Sequence, residues 1–213
     1  MNKIEGKKFR KIREIVFMIF LVYSALFLTI LLAQLLSIAF SNINTNKWGF
    51  TILTWISMGI GFIIYPLILT KAKYRIKIDE IGAGKISKIE KVIILTGSIL
   101  VIIYIFAERT ISTEVVLGVV IQNLAVACSE ETFSRGILFY YTGRLVNSSS
   151  VKILVSGIVF AFVFHSSDPL LLNLTYRLPM GLILAIVYSR TKNLSIPVFL
   201  HLVNNILASQ LVK

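Results

Sequence analysis

The chain has 213 residues, is 56% hydrophobic with a mean hydropathy of +0.84, and carries a formal net charge of +12. Soluble domains lie nearer about 45–50% apolar, so this composition excludes an ordinary water-soluble fold and points to a polytopic membrane protein of one compact bundle. The basic residues fall in the connections between apolar runs, which excludes nucleic acid as the natural reading and makes the charge an orientation signal.

The amino terminus, Met1 to Arg13, is basic and precedes about 25 apolar residues. That run is too long for a signal-peptide core and lacks a small-residue cleavage site after it, so it reads as a retained first span. Seven apolar segments are predicted to be membrane helices, at about 15–40, 48–70, 92–107, 115–142, 151–167, 169–189 and 194–211. Most reach the roughly 17–25 residues a spanning helix needs; the third and fifth are short. Between the second and third, residues 71–91 are charged, contain Gly82 and Gly84, and read as a solvated connector. Trp48 and Tyr188 fall at span ends, the place of interfacial anchors.

Alternate connections differ sharply in Lys and Arg. One side takes Lys3, Lys7, Lys8, Arg10, Lys11 and Arg13, seven more from the 71–91 loop, and Arg144, Lys152, Arg190 and Lys192. The other side has only Lys47, Arg109 and Lys213. Positive-inside logic therefore predicts a cytoplasmic amino terminus and an external carboxyl terminus. The fold expected is all-α, a transmembrane bundle of about seven spans. It divides into residues 1–110, with the basic segment, three helices and the 71–91 loop, and residues 111–213, a four-helix core.

Polar groups inside that core carry the functional expectation. Glu130, Glu131 and Arg135 interrupt the apolar run Val115 to Tyr141. Each such charge at membrane depth costs about 2.5–3.5 kcal/mol on insertion scales, which makes the cluster a functional-site hypothesis. On a helix, Glu131 and Arg135 are stacked neighbours in the favourable order for an ion pair. Glu130 points elsewhere, along a stripe with Asn123, Ala127 and Ser134, and is left to face the bundle interior. Both histidines of the chain lie on apolar segments: His165 after a Phe-rich run, and His201 one turn before Asn205. Cys128, the single cysteine, excludes an internal disulfide and reads as a small buried apolar residue.

A glutamate, two histidines and an asparagine converging from three helices support three chemistries. They can activate water for hydrolysis, with Glu130 as general base. They can bind a divalent metal through Glu130, His165 and His201, since His₂Glu is a known zinc set. They can also relay protons in a transporter, although no broken-helix pair or repeated half accompanies them. Arg177 is expected to pair with Asp168 or lipid phosphate, with a carboxylate of the site or of a substrate as the sharper alternative. Asn173 and Gln122 are expected to bond between helices.

The pattern Glu-Glu-x-x-x-Arg, a His after Phe-rich sequence, then His-x-x-x-Asn resembles the CAAX-protease and bacteriocin-processing (Abi) family of intramembrane endopeptidases. The likeness runs from about Val115 to Ser209. It implies that Glu130, His165, His201 and Asn205 form the water-activating centre, with Glu131 and Arg135 as the supporting pair. It also implies a peptide or membrane-protein substrate in a bacterial cytoplasmic membrane, in bacteriocin or peptide maturation or self-immunity. No cofactor is favoured, with zinc the alternative. A competing expectation is a non-catalytic immunity or regulatory protein that binds a sensor kinase or a bacteriocin receptor. Two positions depart from the family pattern: Ser134 stands where Phe precedes the motif Arg, and Ala161 stands where Phe lies four residues before the first His.

Overall fold

A computed structural model describes residues 3–41, 47–107 and 112–209, and these form a helical bundle with no strand among the described residues. The helices are α1 (Lys3–Ala39), α2 (Trp48–Tyr74), α3 (Lys88–Ala107), α4 (Thr113–Leu145), α5 (Ser149–Phe164), α6 (Leu170–Thr191) and α7 (Ser195–Ala208). Their number and order match the seven predicted segments. Residues Lys8–Ala39 of α1, together with α2, α4 and α6, are long and apolar enough to cross a membrane. Helices α5 and α7 are shorter apolar helices. Phe27, Ile38, Ile89 and Leu95 present open apolar faces on α1 and α3. Such continuous exposure suits lipid rather than water.

Small residues let the helices approach closely, the usual device where lipid removes the hydrophobic drive between helices. A Cβ on Gly61 of α2 would lie 2.9 Å from Thr29 Cα of α1. One on Gly181 of α6 would meet Gly157 Cα and O of α5 at 3.2 Å. One on Gly97 would strike the Phe199 ring at 2.6 Å, which sets α3 against α7. Between α1, α2, α4 and α5 lies an aromatic core: Phe62, Phe133 and Phe164 sit 4.8–5.6 Å apart, centroid to centroid. Residues from before position 110 thus pack directly against the segment that carries the motifs.

The 71–91 connection is largely exposed, as expected of a solvated connector, and is pinned to the bundle at a few points. Arg75 ends α2 in the left-handed conformation (φ 55°), and the 3₁₀ turn Ile78–Ile81 follows. Ile76 and Ile81 are buried. Gly82, at φ 81°, ends that turn where a side chain would collide with the Tyr188 ring, and its carbonyl accepts from Leu194 N at 2.9 Å. Asn193 Nδ2 donates to Lys85 O at 3.1 Å. A reciprocal capping box starts α3: Ser87 N donates to Glu90 Oε2 at 2.7 Å, and Glu90 N to Ser87 Oγ at 3.2 Å. The loop therefore seals one end of the bundle. Tyr188 is corrected: only 5% exposed, it packs edge-on against Phe139 at 5.2 Å instead of anchoring at an interface. Cys128 is half-buried rather than fully enclosed.

Candidate active site

Four helices contribute polar groups to one centre. Three of them change their winding there. Helix α4 passes into a π-helical stretch at Thr132–Ile137, α5 ends in one at Phe160–Phe164, and α6 holds one at Asn173–Arg177. A π turn inserts an extra residue and re-aims the side chains beyond it, which is why such turns concentrate at functional sites. Here they carry Arg135, deliver His165 at the end of α5, and carry Arg177.

Glu131 and Arg135 are both fully buried and paired, with Arg135 Nη1 donating to Glu131 Oε1 at 3.0 Å. Arg135 Nη2 donates to Gly181 O at 2.9 Å, and the guanidinium lies 4.7 Å from the Phe160 ring centroid. The same Oε1 accepts from His201 Nδ1 at 2.8 Å. A carboxylate can only accept, so this contact puts a proton on Nδ1 and leaves Nε2 to face the other way. It faces Glu130: His201 Nε2 lies 3.9 Å from Glu130 Oε2, and His165 Nε2 lies 3.8 Å from the same oxygen. Phe160 stands edge-on to both imidazoles, at 5.0 Å from His165 and 5.5 Å from His201.

Glu130 is 6% exposed, yet neither its Oε2 nor His165 Nε2 has a hydrogen-bond partner within the protein. Orphaned buried acceptors are costly unless a third molecule serves them. A cavity of about 290 Å³ opens beside them, lined by Asn123, His165, Arg177, His201, Asn205 and Ser209 among others. The structure thus brings Glu130, His165 and His201 together and sets Asn205 on the same cavity wall. Asn123 also lines it, while bonded through Nδ2 to Val119 O at 2.9 Å.

Ser134 lies in the π-helical stretch of α4. It is fully buried, with its carbonyl accepting from Ser156 Oγ at 3.1 Å. Phe133, one position earlier, fills the aromatic core. Arg177 pairs with Asp168, Nε to Oδ2 at 3.0 Å, as the plainer expectation held. Asn173, on α6, bonds across to the end of α5, its Nδ2 donating to the carbonyl of the capping residue His165 at 2.9 Å. Sequence reading underrated Asp168, whose one signal was a carboxylate three residues after His165.

A zinc set requires three donors within about 2.0–2.3 Å of one point. Among the described residues, no group of three or more His, Cys, Asp or Glu side chains is disposed to hold a metal ion.

No curated protein and no solved structure matches the chain. Residues 112–207 match the family model described as type II CAAX prenyl endopeptidase Rce1-like. That span contains Glu130, Glu131, Arg135, His165, Asp168, Arg177, His201 and Asn205, and over it the chain is similar to that endopeptidase family.

Proposed function

We propose that the protein is an intramembrane endopeptidase that hydrolyses a peptide bond with a water activated by Glu130. One observation carries the reading: a buried, unpartnered carboxylate oxygen stands 3.8 and 3.9 Å from two imidazole Nε2 atoms beside a cavity. Separations of that size suit a bridging water better than direct bonds, since direct bonds lie at about 2.7–3.2 Å.

The water is held by Glu130 and His165. Glu130 takes one of its protons as the oxygen adds to the peptide carbonyl carbon, giving a tetrahedral oxyanion. Asn205 and His201 face that oxyanion from α7. With Nδ1–H engaged by Glu131, His201 in its imidazolium form presents Nε2–H as a donor, and Glu131 is the anion such a cation needs. Glu130 then returns its proton to the departing amine as the C–N bond breaks, which leaves a carboxylic acid and an amine. The family match supports the coarser statement, a CAAX-type membrane peptidase. The finer reading is maturation of a bacteriocin or other peptide, or self-immunity, in a bacterial cytoplasmic membrane.

The test uses full-length protein in lipid nanodiscs and a fluorogenic farnesylated peptide ending in a CAAX sequence. Glu130→Gln is expected to lower kcat by about 10²–10⁴, the usual contribution of a general acid–base group. Cleavage by Glu130→Gln at the wild-type rate sinks the hydrolytic role. It would shift the reading to a protein that acts by binding a partner.

A further inference from the structure

The two imidazoles of the centre are held in parallel ways. On one side the order is Arg135, Glu131, His201: guanidinium to carboxylate at 3.0 Å, then carboxylate to Nδ1 at 2.8 Å. On the other it is Arg177, Asp168, His165: Nε to Oδ2 at 3.0 Å, then the same Oδ2 to Nδ1 at 3.7 Å. Both units turn Nε2 towards Glu130 Oε2. We propose that Asp168, fixed by Arg177, is a positioning residue for His165: it draws the imidazole proton to Nδ1 and leaves the Nε2 lone pair facing Glu130 and its water. The inference rests on the hydrolytic reading and names a residue that the motifs do not contain.

The surrounding contacts fit this role. Asp168 N donates to His165 O at 3.0 Å, which closes the turn between them. Asn173 Nδ2 ties that carbonyl to α6 at 2.9 Å. The Phe160 edge limits rotation of the His165 ring. A neutral imidazole carries one N–H, and the group facing each nitrogen decides where it sits. A carboxylate opposite Nδ1 accepts and cannot donate, so Asp168 selects one tautomer. The two units differ in tightness. Glu131 is fully buried and bonded, whereas the Asp168 side chain is 26% exposed and stands just beyond bonding distance from His165. Apo catalytic contacts are commonly long and tighten when substrate excludes water.

The chain contains only two histidines, which makes the tautomer directly measurable. Full-length protein in nanodiscs, labelled with ¹⁵N in its imidazoles, gives two sets of ring resonances, assigned with His201→Gln. We expect His165 in the neutral Nδ1–H form and His201 with its Nδ1 protonated. Asp168→Asn, whose amide can donate as well as accept, is expected to move His165 towards Nε2–H and leave His201 in place, which also reports an intact fold. Asp168→Glu is expected to restore the tautomer, and Arg177→Gln to weaken it. With the farnesylated peptide, Asp168→Asn should lower kcat by about 10–100-fold, as loss of a group that orients a ligand-bearing imidazole commonly does, with KM within twofold. An unchanged His165 tautomer in Asp168→Asn overturns the inference. So does an unchanged kcat. An altered tautomer alongside a fully active Glu130→Gln supports the Asp168–His165 coupling while removing the hydrolytic reading, so the two failures are distinguishable.

Discussion

A single oxygen, Glu131 Oε1, serves two side chains, Arg135 and His201, in a site almost wholly removed from solvent. Burying two charges is expensive, and losing one member of such a pair strands the other, typically at about 3–5 kcal/mol. Arg135→Met is therefore expected to destabilise the protein by about 3–5 kcal/mol in thermal or denaturant unfolding in detergent. The double variant Glu131→Gln, Arg135→Met should recover part of that loss, because no uncompensated anion remains. Equal loss in the single and double variants would show that the pair does not act as a unit. The pairing of Glu131 with Arg135 was legible from a four-residue spacing. The arrival of His201 at the same oxygen was not, because α7 is 70 residues away and nothing local encodes that contact.

At the scale of helices, the site depends on α6 lying close enough to α4 for Gly181 O to accept from Arg135, and the close α5–α6 contact sets that position. Gly181 has no room for a side chain: a Cβ would sit 3.0 Å from Phe160 Cδ1 and 3.2 Å from the Gly157 backbone. Gly181→Ala is expected to cost about 1–3 kcal/mol, the range for overpacked interiors. It should also reduce peptide cleavage, because the displaced elements are Phe160 and the Arg135 acceptor. Wild-type stability in this variant would mean that α5 and α6 separate freely. Hydropathy located all seven helices, since runs of apolar residues are what a bilayer selects. It could not show the π turns at Thr132–Ile137, Phe160–Phe164 and Asn173–Arg177, which change the winding without changing composition. Glu130 lies before the first of these turns, where α-helical spacing still applies, whereas Ser134 and Arg135 lie within it.

At the scale of the molecule, the basic residues mark one end of the bundle. That end gathers Glu14, Lys73, Tyr74 and Arg144: Lys73 Nζ lies 3.0 Å from Glu14 Oε2, Tyr74 OH also bonds Glu14, and Arg144 covers the Tyr74 ring at 4.1 Å. The 71–91 loop closes that same end through Asn193 and Leu194. Alternating charge made this grouping readable in the sequence, but the burial of Ile76 and Ile81 depended on tertiary contacts that a charged, glycine-containing loop does not advertise. With Cys128→Ser as background, Ser87→Cys is expected to react with a membrane-impermeant maleimide only after cells are opened. Ser166→Cys, on an exposed turn at the other end, is expected to react in intact cells. The reverse pattern would invert the orientation read from Lys and Arg.

The cavity has a direction. Its walls come from the amino-terminal half of α4, the carboxyl end of α5, the amino-terminal half of α6 and the carboxyl end of α7. In an up-and-down bundle those ends lie together, away from the sealed basic end. Helix α5 has 16 residues and rises only about 24 Å at 1.5 Å per residue, short of a bilayer core of about 30 Å. His165 therefore sits at the foot of a recess instead of at the membrane surface. If the basic end faces the cytoplasm, a chain reaching this recess comes from the outer side or from the outer leaflet, and fragments leave by the same route. On the hydrolytic reading proposed above, its clients would then be peptides already in export, and its work a step after translocation.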